Sequence, residues 1–220
     1  MTTTESQIAA SAATAVAALV TLAAEASLPE TAARTIGGLI TQAAEASPTS
    51  ATADFVTGVL EAARQIAREG DPEQVFTAAR MLIAGAGGPN PIDALARVVL
   101  IAAMCSAALR RTHETRQDAQ ATRATVRDLA ETVLGVVGAV LGPEAYRWAL
   151  DITGETARIL SAVAADRSAL VMAETGRSLP STLVAWRLYQ DPERASGLVL
   201  RNAVATPCLM PVRFEAEAPR

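Results

Sequence analysis

The chain has 220 residues, 50% hydrophobic, 3% aromatic and 19% charged, with a formal net charge of −4 at pH 7. That length allows one domain or two small ones with a sizeable core, but much of the apolar content is alanine, which favours close helix packing and buries little area per residue. The acidic balance runs against a dedicated nucleic-acid binder, and one histidine with two distant cysteines, Cys105 and Cys208, cannot build a zinc site without several carboxylates.

The opening Met-Thr-Thr-Thr-Glu lacks the basic stretch of a signal peptide. The Ala-rich run 8–24 contains Ser11, Thr14 and Thr21. The greasier run 98–109 is bracketed by Arg97 and Arg110 and is short for a bilayer. Both read as buried helix, so the chain reads as soluble, with no membrane partner.

Helix starts are marked by proline one step inside, at Pro29, Pro72, Pro91, Pro143 and Pro192. Stops are marked by 47–50, Gly70 and Gly87-Gly88. The pattern predicts helices over 5–26, 29–46, 52–69, 72–86, 91–134 (extending toward 141), 143–175, 181–189 and 192–202, with strand character only in the tail after 205. The fold class is all-α, an Ala-rich helical bundle or hairpin array with a small C-terminal α+β module. Three segments follow: helical hairpins over 1–89, a long-helix region over 90–177, and a terminal module over 178–220. Residues 19–27 echo 39–47, either because equal helices stack as hairpins or because Ala-rich helix repeats by chance. Gly37-Gly38 reads as a close helix contact and 85–89 as a helix stop, since neither has the strand–turn–helix setting of a phosphate loop.

Residues 110–128 carry Arg110, Arg111, Arg116, Arg123 and Arg127 against Glu114, Asp118 and Asp128, with no apolar stripe between Leu109 and Val126. A helix polar all round projects into solvent or packs on another subunit; the same arginines are the candidate phosphate contacts. Gly135 and Gly138 loosen its far end. His113, among arginine and threonine, reads as a surface residue. No Gly-x-Ser-x-Gly and no Cys–His pairing at useful spacing occurs, so no enzyme, cofactor or metal is expected. The two cysteines read as free thiols.

The end of the chain is different in kind. Both tryptophans, both tyrosines and Phe214 lie at or after Tyr146. Two short amphipathic segments flank Gln190-Asp191-Pro192-Glu193, where Asp caps, Pro takes the first helical position and Glu suits the positive dipole end. Trp186, Leu188, Tyr189 and Phe214 read either as the small core of this module or as a docking surface.

Helix, tight turn, helix and extended tail resemble the second half of a LysM-type module. More narrowly, Leu179-Pro180-Ser181, Leu183-Val184, Arg187-Leu188-Tyr189, Asp191, Arg194-Ala195, Arg201-Asn202 and the closing Phe214-Glu215 resemble the C-terminal signature of Mu-type phage DNA-circularisation proteins, tail and baseplate components of contractile-tailed phages. A looser likeness covers 92–134, as an Ala- and Arg-rich helix, and 161–179, as a linking helix. The β-rich N-terminal domain of that family has no counterpart, and the opening strand and Gly-Asp-Thr-Leu turn of a sugar-binding LysM are replaced by Arg177-Ser178-Leu179-Pro180-Ser181. The resemblance implies a non-catalytic baseplate hub or tube-end adaptor in the virion tail, assembled in the host cytoplasm. Its implied partners are tube, hub and tape-measure proteins, and its own copies in three- or six-fold array. Trp186, Arg187, Tyr189, Arg194, Asn202 and Phe214 are the implied interaction residues. The alternative it implies is a DNA-end binder that promotes genome circularisation after injection.

Overall fold

The structure, a computed structural model, describes residues 3–46, 52–85, 88 and 90–218. The predicted stops at 47–50 and Gly87 lie outside them. The chain is mostly helical with a small antiparallel sheet near its C-terminus. Its order is α1 (Thr3–Glu25), α2 (Glu30–Glu45), α3 (Thr52–Glu69), α4 (Pro72–Gly85), α5 (Pro91–Arg110), α6 (Arg116–Val140), α7 (Pro143–Asp166), β1 (Leu170–Glu174), α8 (Ser181–Tyr189), α9 (Ala195–Arg201) and β2 (Arg213–Glu217). Two compact units result: 1–112 with 121–161, and 113–120 with 162–220. The segment expected at 90–177 contributes to both.

In the first unit α5 is the central helix. Asn90 caps it, its Oδ1 accepting from Ile92 N and Asp93 N at 3.0 Å each, with Pro91 in the first turn. The Asn90 Nδ2 also donates to Ser11 Oγ at 2.6 Å, tying α1 to the start of α5. Leu100, Ile101 and Met104 are fully buried, each worth about 1.5–3 kcal/mol of apolar transfer. Phe55, Val59 and Ile66 of α3, Val75 and Ile83 of α4, and Leu19 and Leu22 of α1 belong to the same core. By length and composition α1 and α5 are apolar enough to cross a membrane, α5 with 72% of its window buried and α1 with 22%.

Close helix contacts fall at glycines other than those expected. A Cβ on Gly37 or Gly38 would meet nothing, whereas one on Gly58 would lie 3.0 Å from Ala43 Cβ. At Gly70 it would come within 2.7–2.9 Å of Val75, Ile66 O and Ala26, where the chain leaves α3 and Asp71 N donates to Ala26 O at 2.8 Å. Gly138 takes the Tyr146 ring at 3.1 Å rather than loosening α6. The echo between 19–27 and 39–47 does not repeat in space. In α1 Leu19 and Leu22 are buried and Val20 is exposed; in α2 the counterpart of Val20, Ile40, is buried and that of Leu22, Gln42, is exposed.

The predicted helix over 91–134 is broken. Arg111 takes ψ 146°, ending α5, and Thr115 restarts the chain by accepting from Asp118 N at 3.2 Å. Nor is α6 polar all round: Thr122, Val126, Ala130, Val133 and Val137 form a buried stripe of small residues. The helix stops at Gly142, whose φ of 88° suits glycine.

In the second unit α7 ends at Asp166 instead of running to 175, and 170–174 is a strand. β1 pairs antiparallel with β2, with Ala173 opposite Phe214 and Val171 opposite Ala216. The first turn of α6 closes the start of β1: Gln117 Nε2 donates to Leu170 O at 2.8 Å, and Leu170 N to Gln117 Oε1 at 2.9 Å. The result is a strand–helix–helix–strand unit with its own small core of Leu179, Val184, Ala185, Ala195, Leu198, Met210, Phe214 and Ala216. Asp191 caps as expected, accepting from Glu193 N at 2.9 Å and opening a 3-10 turn over Pro192–Arg194. The loops on either side of the helix pair are stitched together by Met210 N to Leu179 O at 3.0 Å, Ser178 Oγ to Met210 O at 2.7 Å and Thr175 N to Val212 O at 2.8 Å.

Candidate interaction surfaces

The six terminal residues singled out from the sequence separate into two groups. Tyr189, Arg194, Asn202 and Phe214 build the module. The Arg194 guanidinium carbon lies 4.0 Å from the Tyr189 ring centroid and the guanidinium also pairs with Glu217. Arg201 reaches the other oxygen of that carboxylate at 3.2 Å. Tyr189 Oη accepts from Glu217 N at 2.9 Å, and partial burial holds the phenol above its ordinary value. Asn202 clamps β2, donating to Glu215 O at 2.9 Å and accepting from Glu215 N at 2.8 Å. Phe214 is buried beneath them.

Trp186 and Arg187 are displayed. Trp186 is 51% exposed and Arg187 is exposed. Leu183, one turn before Trp186, joins it to give an apolar stripe on the outer face of α8. The sequence marks Leu183 only as part of the terminal signature, without a role. Sequence reasoning missed Leu200, 84% exposed on α9, together with Met172 and Leu209. The signal was present at Leu198-Val199-Leu200, because three consecutive apolar residues on a helix cannot all face one core.

No family model matches the chain, and no curated protein matches it. What bears on function is the chemistry of the surfaces themselves.

The five arginines expected on one row lie on either side of the helix break, and each already has a partner. Arg110 donates to Ala67 O at 2.5 Å. Arg111 is an interior tie: its Nε meets Glu73 at 2.8 Å, its Nη1 meets Thr122 Oγ1 at 2.9 Å, and it covers the Phe76 ring at 4.5 Å. Arg116 donates to Ala164 O at 3.2 Å. Arg123 donates to Ser161 Oγ at 3.0 Å, and Arg127 pairs with Asp128 at 2.9 Å. Arg123 and Arg127, with Arg158 of α7, line a shallow groove of about 460 Å³ floored by Ala124, Gly154 and Ala157. Arg158, unremarked in the sequence, is paired with Glu155.

His113 is not on the surface. It is 4% exposed, with Nδ1 3.4 Å from Asp118 Oδ2, because the break after α5 turns it into the second unit. Cys105 is buried and Cys208 exposed, both free. Burial pushes the Cys105 thiol up to about 11, a contact with Thr156 opposing the shift. Among the described residues no group of three or more His, Cys, Asp and Glu is arranged to hold a metal ion.

Proposed function

We propose that the chain is a non-catalytic structural protein of a phage or phage-like contractile tail, a baseplate hub or tube-end adaptor that works by protein–protein docking. The observation that carries the reading is the α8 face. Leu183, Trp186 and Arg187 stand outward on a module whose framework is held by the contacts of Tyr189, Arg194 and Asn202 and by the buried Phe214. A rigid exposed aromatic flanked by an arginine is the composition of a docking hot spot. The terminal signature supports the tail setting. β1 supports the LysM-like reading, since it supplies an opening strand ahead of the two helices. The neighbours are tube, hub and tape-measure proteins, and the chain acts in several copies within the virion tail.

The test is co-elution of the full chain with those tail proteins in size-exclusion chromatography with light scattering. A Leu183→Ser, Trp186→Ala variant keeps its circular dichroism spectrum, because both residues are exposed, and loses the complex by about tenfold or more in affinity. A complex that forms equally well with the variant overturns α8 as the docking face, and no complex with any tail protein overturns the tail reading.

A second reading, binding of DNA ends, is favoured by the groove of Arg123, Arg127 and Arg158. It predicts anisotropy of a linear duplex that rises at low salt and collapses as salt increases. Replacing the three arginines by alanine removes the signal; binding indifferent to salt or to the substitutions ends this reading.

A further inference from the structure

Two concavities of the first unit face solvent and are matched. One lies between α3 and α5, has a volume of about 430 Å³ and is floored by Ala63, Ala67, Val99 and Ala103. Leu60 and Trp148, 41% and 45% exposed, stand at its edges, and Arg64, Arg68 and Glu61 line its rim, two positive charges against one negative. Arg64 shares an exposed pair with Glu61 at 3.3 Å, an interaction worth little in solvent. Alanine at the floor is what makes the groove: a leucine at Ala63, Ala67 or Ala103 would fill it.

The other lies between α1 and α4, has a volume of about 410 Å³ and is lined by Thr21, Thr77 and Leu82. Met81, 64% exposed, stands beside it. Its charges are the opposite ones, Glu25 and Glu73. Glu73 gives one carboxylate oxygen to Arg111 and keeps lone pairs for a second donor.

The pair is complementary in charge, close in volume and alike in offering a protruding apolar side chain next to a hole. Neither surface suits itself. A two-fold contact of the Arg-rimmed groove with its own copy would gather four guanidiniums against only two carboxylates, those of Glu61, across an apolar patch, and the acidic one would face carboxylates with carboxylates. The contact that satisfies both is heterologous. We propose that copies of this chain associate head to tail, Met81 of one copy entering the α3–α5 groove of the next. The thioether lies against the Trp148 indole, and Glu25 and Glu73 face Arg64 and Arg68. Such a contact leaves each copy with one free end, so it closes into a ring or grows into a filament and does not stop at a dimer. The inference rests on the multi-copy part of the function proposed above and does not depend on which tail proteins are the neighbours.

The test is charge exchange in the full chain, read by light scattering and sedimentation velocity. One variant, Arg64→Glu with Arg68→Glu, has an altered groove and an intact knob. The other, Glu25→Arg, has the reverse. Each alone loses self-association by about tenfold or more, and an equimolar mixture recovers it, because the substituted knob, with its new arginine, then meets the acidic groove while the native knob meets the native groove. Met81→Ala weakens association without altering any charge, and it carries the test if a charge variant loses its helical spectrum. A wild-type chain that stays monomeric at the highest soluble concentration overturns the proposal, as does an oligomer untouched by these substitutions or a loss not restored on mixing. An acidic amphipathic helix of another protein that binds the groove while the chain stays monomeric also overturns it. Failure here is distinguishable from failure of the tail reading, which is decided by co-elution with tail proteins whatever the oligomeric state.

Discussion

Replacing Phe214 by alanine is the sharpest test of how the second unit is held. Phe214 is 1% exposed and is the largest side chain of an eight-residue core in which three members are alanine. A buried Phe→Ala change costs about 3–5 kcal/mol, the transfer term plus the cavity left behind. A core this small has few neighbours able to collapse into the space, so the upper part of that range is expected. At about 1.4 kcal/mol per decade the opening constant rises roughly a hundred- to several-thousandfold. The assay is native-state hydrogen exchange resolved by peptide. The amides of β1 and β2, which pair Ala173 with Phe214, lose protection by that factor, while the amides of α5 keep theirs because the buried cluster around Phe214 contains no α5 residue. Equal loss of protection in α5, or a change below about tenfold in β1 and β2, would refute the assignment of Phe214 to a separate local core.

Three further outcomes follow from particular contacts. Asn202→Ala removes two donations and one acceptance that pin β2 and the end of α9; because Glu215 is exposed and water replaces its lost partner, a cost of about 0.5–1.5 kcal/mol in urea titration is the expected result. Gly37→Ala and Gly70→Ala move melting temperature in opposite directions. The first fills open space inside α2 and gains about 0.5–1 kcal/mol; the second drives a methyl into Val75, Ile66 and Ala26 and costs about 1–3 kcal/mol. Cys105 makes stability fall at high pH. Burial pushes its thiol to about 11 in the folded chain from an ordinary value of 9.0, so the folded state holds the proton more tightly. The contribution is complete below pH 9 and is lost as pH climbs toward 11, about 3 kcal/mol in all. Cys105→Ala flattens that part of the stability–pH curve, and in the native wild type a thiol reagent at pH 8 labels Cys208 alone.

The helices whose starts carry a proline were legible because the signal is local: a fixed φ and a missing N–H at the first turn require no partner. The cap at Asp191 was legible for the same reason. β1 was not. Leu170, Met172, Ala173 and Glu174 are all good helix formers, and they are extended because β2, some forty positions later, supplies the ladder. The break after α5 was legible in principle, since Thr115-x-x-Asp118 has the spacing of a capping box, but the polarity on both sides hid it. Misplacing that break also misplaced His113. For the terminal residues, composition marked the segment and could not sort its displayed side chains from its inward ones. Trp186 and Tyr189 sit three apart on α8, yet one is displayed and the other spans to Glu217, a difference set by where β2 returns. The alanine-floored groove between α3 and α5 was invisible to any motif search, because its chemistry lies in what small side chains leave empty.

The closing of β1 by Gln117 has a consequence for how this chain can be cut and recombined. The C-terminal module looks like something that a single crossover near residue 167 could detach and graft elsewhere. Such a graft would leave behind Arg116, whose amide donates to Ser168 O at 3.0 Å, and Gln117, whose side chain bonds both polar groups of Leu170. A fragment starting there would carry a strand with an open end and an unpaired first residue, the configuration that promotes edge-to-edge aggregation. The module is therefore built from two pieces of chain, and a transplant needs 113–120 to travel with 162–220.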